Sequence, residues 1–519
     1  MKKRMMLDVD ISPKAMLALN MLCSVLSFAV TLGISFFVSP YIVKHLGAEA
    51  NGFTTLANDF IAYATILKVA MNSMGSRFIT ISYIRGDKEK ACKYYSAMFF
   101  GDLFLCTILS VASIYMVVRL ENIINISPDL VKDVKILFSL LFFNFIFNTM
   151  TSVWLTATFI TNKVYLDKIR EVQGSLLRIA VVLILFVFFA PRIYFVAIGI
   201  VIAGFLQGGF SLYYKVHLTP DLRASFQQFS FKYMKEILFS GIWNAFAQLG
   251  SLFFSGMDLI ITNLWISPLE MGVLAISKTV PNALSGLNSA IQGVFAPALV
   301  GDYARGGNAS IAHSVKSNAK IIMIISTIPL CFLMVYGEAF YSLWQPTQDA
   351  TRLQLLSVLA CAATAITSCA MSVYNVFTVV NKVKQLSVAT VFTGAINLIV
   401  TYILVRNTGL GIVAVAGVSS VMYALRSLLW GLPMAAKYLE VKWTTFYPLV
   451  GYNVLIVFLM NAIGMVMKLF IPHETWIQLI LSGMLFACVG LATNMVVVLN
   501  ENEKKALYNA LLKRMKKRK

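Results

Sequence analysis

The chain has 519 residues, of which 59% are hydrophobic and 13% charged, and its mean hydropathy is +0.77. That balance excludes a water-soluble globular protein, whose surface so few charged side chains could not cover. A net charge of +20 raises nucleic acid as a partner, but most of it lies in short turns and in the stretch Lys504 to Lys519, where anionic membrane lipids are the simpler partner and no nucleic acid is expected.

Apolar runs long enough to cross a bilayer, about 20 residues each, recur at roughly 15–41, 53–81, 94–118, 134–160, 165–190, 193–214, 236–264, 272–300, 318–343, 352–380, 385–405, 410–434, 446–471 and 476–499. The first follows Lys2, Lys3 and Arg4, is longer than a signal-peptide core and precedes no small-residue cleavage site, so it reads as a retained span. With both termini placed on the cytoplasmic side, thirty of the forty-three Lys and Arg fall in cytoplasmic segments, eight in outer loops and five inside spans. This positive-inside asymmetry supports both the count of about fourteen and the orientation.

The chain repeats itself. "YIRG" (Tyr83 to Gly86) recurs 220 residues on as "YARG" (Tyr303 to Gly306), and at the same offset Gly52 falls on Gly272, each before an apolar run. At an offset of 219, Asn162-Lys163-Val164 falls on Asn381-Lys382-Val383. An offset of six spans leaves equivalent helices in the same orientation, so the expectation is two parallel-repeat six-helix lobes. The boundaries read as an N-lobe over 1–216, a cytoplasmic linker over 217–235 and a C-lobe over 236–437, followed by two extra helices over 438–499 and a basic cytoplasmic tail over 500–519.

No outer loop exceeds about twenty residues, so there is no room for a soluble catalytic domain, and no Gly-x-x-x-x-Gly-Lys-[Ser/Thr] motif is present to bind nucleotide. The chain is expected not to be an enzyme and to need no cofactor; coupling to protons, sodium or the membrane potential stays open. The seven cysteines lack Cys-x-x-Cys spacing and read as buried free thiols, with no metal site expected.

Function is then expected among ionisable groups inside the spans, where a charge costs about 2.5–3.5 kcal/mol on insertion scales and is retained for a pathway or a partner. Lys68 sits near the middle of the second span, with Thr65, Asn72 and Gly75 on a similar face; a lysine paired within its own lobe is the alternative. Asp59 and Arg77 lie near opposite ends of that span, five turns apart on the other face, and Arg77 reads as a cation at the cavity mouth or an interfacial arginine. Lys278 falls opposite Asn58 in the repeat, with Asp258 or Asp59 as alternative salt-bridge partners, and Pro281 just after it should free a backbone carbonyl. Arg178 and Arg426 lie deep in the fifth and twelfth spans, and Asp102 in the third is expected to pair with one of them. The five interior cations outnumber the interior acids Asp59, Asp102 and Asp258, which suits an anionic cargo.

This plan, with "FFVSPYIVKHLGAEANGFTTL" (Phe36 to Leu56) and its Pro40 to Gly47 turn at the end of the first span, resembles the multidrug/oligosaccharidyl-lipid/polysaccharide (MOP) flippase superfamily. Within it, the chain looks most like the bacterial polysaccharide-biosynthesis flippases. The resemblance implies translocation of an undecaprenyl-diphosphate-linked oligosaccharide from the cytoplasmic to the outer leaflet of the bacterial inner membrane, for capsule, O-antigen or exopolysaccharide synthesis, alongside a polysaccharide polymerase. With alternating access between the two lobes, the reading of the interior charges above has Lys68, Lys278, Arg77 and Asn72 lining a cationic cavity and Asp59, Asp258, Asp102, Arg178 and Arg426 serving as charge pairs or coupling groups. A lipid II-type flippase and a cation-coupled multidrug exporter are the alternatives on the same fold.

Overall fold

The computed structural model describes residues 13–499 and Lys504. The expected basic tail, apart from Lys504, and the leading Lys2, Lys3 and Arg4 lie outside the described residues. Every described regular element is helical, so the chain is an all-α polytopic membrane protein. Two compact units divide it, Met1–Gly272 and Val273–Lys519.

In the first unit, α1 (Pro13–Ile84) is broken at Gly47, whose φ of 87° and ψ of 166° leave the helical region. Glycine takes that geometry without the Cβ clash other residues meet, which is why the expected Leu46-Gly47 turn falls there. Next come α2 (Lys88–Val118), then α3 (Val131–Ser152) and α4 (Thr156–Ile160) joined through a 3₁₀ turn. Then follow α5 (Val164–Phe188), α6 (Phe195–Leu218) and α7 (Phe231–Ser251). A π-turn over Leu252–Gly256 leads into α8 (Asp258–Trp265), and α9 (Pro268–Ser277) runs past the unit's end. The hydroxyl of Tyr63 donates to the carbonyl of Gly256, the last residue of that π-turn.

In the second unit, α10 (Thr279–Trp344) is interrupted at Gly307 with φ 61°. The left-handed residue there is Gly307, one position beyond the Arg305-Gly306 pair that the repeat placed at the turn, whereas in the first copy it is Gly86 itself, with φ 82°. The unit continues through α11 (Ala350–Cys361), α12 (Thr364–Thr367), α13 (Ala370–Val379) and α14 (Val383–Asn407). It ends with α15 (Ile412–Arg426), a second π-turn over Ser427–Gly431, α16 (Leu432–Tyr438), α17 (Tyr447–Phe470) and α18 (Trp476–Val498). Tyr447 donates to the Leu428 carbonyl at 2.6 Å, so again a tyrosine hydroxyl serves a π-turn.

Eleven of the described helices are long and apolar enough to cross a membrane. A count of fourteen follows only if α1 is divided at Gly47 and the stretches 131–160 and 268–306 are each taken as crossings. The repeat itself has a structural counterpart. Asn162 and Asn381 are left-handed, with φ 55° and 56°, a region asparagine enters more readily than most residues. After each, the lysine amide reaches back five residues, Lys163 to the Thr158 carbonyl at 2.8 Å and Lys382 to the Phe377 carbonyl at 2.7 Å. Both are the helix-ending motif in which a left-handed residue lets the following amide satisfy a last-turn carbonyl.

The second unit's core gathers α10, α13, α16, α17 and α18 around Tyr336, Phe377, Phe446 and Phe486, so the two last helices are built into that unit. Asn453 on α17 fixes the broken stretch between α11 and α13: its Nδ2 donates to the Thr364 and Ala365 carbonyls at 3.2 and 2.9 Å, and its Oδ1 accepts from Ser368 at 2.8 Å. Six cysteines are buried, and Cys488 on α18 is exposed.

Candidate functional site

Two polar stripes, each spaced four residues apart, meet inside the first unit. On α1 they are Lys68, Asn72 and Ser76; on α3 and α4 they are Asn148, Ser152 and Thr156. Residues at i, i+4 and i+8 lie on one side of a helix, and a constant offset of eighty matches helices that run in the same direction. The rungs are filled in turn. Lys68 Nζ donates to the Asn148 carbonyl at 3.4 Å and lies 5.9 Å from the centre of the Phe145 ring. Asn72 Nδ2 donates to Asp102 Oδ1 at 3.2 Å, and Ser152 Oγ donates to Asp102 Oδ2 at 3.3 Å. Ser76 and Thr156 share a hydroxyl bond of 3.2 Å.

Asp102 comes in from α2 and is 1% exposed. Both its oxygens accept from neutral donors, which offsets part of the cost of burying a carboxylate. Where an arginine was expected as the partner of Asp102, the structure gives it Asn72 and Ser152 as hydrogen-bond donors and Lys68 as the cation acting on it electrostatically. Among the described residues the side chain of Arg178, on α5, makes no hydrogen bond or ion pair. Arg426 at the end of α15 donates from Nη1 to Thr390 Oγ1 at 2.8 Å and lies over the rings of Tyr374 and Tyr423 at 5.4 and 5.0 Å.

Lys68 also lines a cavity of about 370 Å³ with Asn148, Asp167, Lys168, Arg170 and Glu171, bounded by α3, α5 and α6. Its wall carries three basic and two acidic side chains. Arg170 is held over the Phe210 ring at 3.9 Å, with its Nε donating to the Tyr214 hydroxyl at 2.8 Å, so a planar cation is presented in a fixed orientation. Lys168 is tied to Glu171 at 2.7 Å. Lys68 makes no salt bridge among the described residues, and Asp102 is the carboxylate that acts on it electrostatically.

The other expected site residues are spread out. Arg77, the residue after Ser76 of the last rung, is exposed, and Asp59 is half-buried towards the other end of α1's second half. Gly75 is not a wet wall: a Cβ there would meet Met98 Sδ of α2 at 2.7 Å, which marks a helix crossing. Among the described residues the Thr65 hydroxyl bonds its own helix alone, at the Ile61 carbonyl. Asp258 opens α8, is 3% exposed and occupies the helix end whose dipole favours a carboxylate.

Lys278 is half-buried at the start of α10 in the second unit. Beside it the expectation for Pro281 is met. Lacking an N–H, that proline leaves the Ser277 carbonyl free, and the carbonyl accepts from Ser357 Oγ at 2.7 Å and Tyr341 Oη at 3.5 Å.

With this geometry in view, the fold is that of the MOP superfamily of transporters. The lipid II flippase MurJ, in an inward closed conformation, superposes with a TM-score of 0.65 at 13% identity, over 92% of this chain and 99% of its own. A multidrug resistance MATE family transporter of that superfamily, inward-facing, superposes at 0.64 and 16% identity, over 80% and 95%. In sequence, the uncharacterized membrane protein EpsK of Bacillus subtilis (strain 168) is 24% identical over 412 residues, 79% of this chain and 81% of EpsK. No family model matches the chain.

The stripe Asn148, Ser152 and Thr156 and the anchoring of Arg170 by Phe210 went unremarked in the sequence. The four-residue spacing of neutral polar groups in an otherwise apolar run was the signal that could have found the stripe.

Proposed function

We propose that this chain is a flippase that carries a polyprenyl-diphosphate-linked oligosaccharide from the cytoplasmic to the outer leaflet of a bacterial cell membrane by alternating access, in the service of surface-polysaccharide synthesis. The observation that carries this reading is the cavity beside Lys68, whose wall sets three basic side chains against two acidic ones: Lys168 is taken up by Glu171, while Lys68 makes no salt bridge among the described residues and Arg170 is held in a fixed orientation. Cations so placed can replace water around a diphosphate, which a neutral or acidic cavity cannot do. The likeness to a lipid II flippase over nearly the whole chain supports a lipid-linked cargo. In this reading Lys278 supplies a second cation to the cargo, Arg77 attracts it at entry, and the prenyl tail stays in the bilayer.

Reconstitution with a fluorescent lipid-linked oligosaccharide tests the proposal, comparing the unaltered chain with Lys68→Ala and Lys278→Ala. Loss of translocation in either variant is expected, and unchanged translocation in both removes the phosphate site. A cation-coupled exporter is favoured instead by the buried Asp102 with its ring of neutral donors. That reading makes Asp102, Asp59 or Asp258 indispensable and lets Gln replace Lys68. Complementation of strains lacking either a polysaccharide or a lipid II flippase separates the two lipid cargoes.

A further inference from the structure

The second unit holds a wider cavity, of about 620 Å³, between α14 and the α15–α16 segment, lined by Lys384, Gln385, Phe392, Thr393, Arg426 and Trp430 among others. On α14 the lining residues recur on three successive turns, and on the facing segment Arg426 and Trp430 are one turn apart. The cavity is a groove between two exposed apolar stripes. Val388 and Phe392 on α14 are 50% and 68% exposed, and Leu425 and Leu429 on the opposite side are 44% and 73% exposed. In a polytopic membrane protein such stripes suit lipid, so a cation between them meets a lipid before it meets water.

Arg426 is fixed there by chemistry on its inner side. Its Nη1 bond to Thr390 and its position over Tyr374 and Tyr423 hold the guanidinium, and Trp430 is stacked on Phe377 at 5.3 Å. Thr390 is seven residues into α14, which puts Arg426 about 10 Å along the helix from the Lys384 end at 1.5 Å per residue. The groove thus has one cation at its mouth and one at depth, with Gln385 and Thr393 as other polar groups and no carboxylate among its described lining residues. Two donors of positive charge flanked by apolar walls match a phosphate joined to a hydrocarbon chain. The wall has too few hydrogen-bonding groups to read a sugar headgroup.

We infer that this groove seats an anionic phospholipid, its phosphate between Lys384 and Arg426 and one acyl chain along Val388 and Phe392. Bound there, it occupies a place on the second unit that is separate from the Lys68 cavity of the first.

Trp430 gives a direct readout. The full chain and its Trp430→Phe variant are reconstituted with phosphatidylglycerol or phosphatidylcholine brominated on one chain, and the difference between the two proteins isolates Trp430 from the other six tryptophans. Brominated phosphatidylglycerol is expected to quench Trp430 at lower mole fraction than brominated phosphatidylcholine, by about fivefold for each basic side chain. Lys384→Gln, at the exposed mouth, removes part of that preference, and Lys384→Gln with Arg426→Gln brings it to about one. Equal quenching by the two lipids overturns the inference, as does a preference that survives in the double variant. If unbrominated polyprenyl diphosphate relieves the quenching and unbrominated phosphatidylglycerol does not, the groove belongs to the cargo and the phospholipid assignment fails. A double variant that does not fold leaves the comparison of lipids on the unaltered chain, and the Lys384→Gln variant, to decide.

Discussion

Gly52 and Gly272, matched by the repeat, lie against each other in the first unit, and their replacement by alanine is a graded test of that packing. A Cβ on Gly272 would stand 2.3 Å from the Ala48 carbonyl oxygen and 2.4 Å from its carbon. Real Cβ atoms essentially never come within 3.0 Å of another heavy atom, so the shortfall is 0.7 Å against backbone, which has no rotamer by which to yield. On Gly52 the nearest atom is Gly272 Cα at 2.8 Å, a shortfall of 0.2 Å. Overpacking costs about 1–3 kcal/mol, so Gly272→Ala should fall at the upper end and Gly52→Ala at the lower. Small residues let membrane helices approach this closely, and separating the backbones forfeits the contact along the crossing. Gly209→Ala is the control, because nothing lies within 4 Å of its Cβ position and alanine gains up to about 1 kcal/mol of helix propensity. The assay is the half-life of the folded protein in detergent at raised temperature, which reports the unfolding barrier without requiring reversibility. The expected order of half-lives is Gly209→Ala, then Gly52→Ala, then Gly272→Ala. A Gly272→Ala protein as long-lived as the unaltered chain would refute the close approach.

Three further outcomes follow from local geometry. Asn263→Ala removes the two hydrogen bonds its side chain makes with the Asn125 backbone, of 2.8 and 2.9 Å, and keeps the one its own carbonyl accepts from Asn125 Nδ2; it should cost about 1–3 kcal/mol, hydrogen exchange at residues 124–127 should quicken, and unchanged protection would count against the clasp. Ser357→Ala leaves the Ser277 carbonyl with only the long bond from Tyr341, a loss of about 1 kcal/mol to be read from the shift in thermal midpoint. Thr475→Ala breaks the capping box in which Thr475 and Gln478 serve each other's amides ahead of α18, at about 0.5–2 kcal/mol, whereas Thr475→Ser should keep the original midpoint.

The positions that announced themselves in the sequence were those where one residue type carries an unusual constraint. Lys68 stands out because a charge in an apolar run is costly, Pro281 because its missing amide must orphan one carbonyl, and Asn162 with Asn381 because the same tripeptide recurs between apolar runs. Partners were much harder to read. Asp102 looked like a companion for an arginine, since charge alone suggests opposite charge, yet it is satisfied by Asn72 and Ser152, which sit on helices that only the tertiary fold brings beside α2. Asn453 likewise gives no hint in its own run that it will tie down a broken helix some ninety residues earlier. Neutral polar groups in spans carry little hydropathy signal, so their stripes are visible only once periodicity is sought deliberately.

The paired loops at Asn162 and Asn381 have an engineering consequence. Their backbones agree in handedness and in the five-residue return bond, while the surrounding side chains share little beyond Asn-Lys-Val. Connectors of that kind are interchangeable parts: a transplant of 158–166 into the place of 377–385 should insert the same bend, leaving only the grafted surface to be reconciled with its new neighbours.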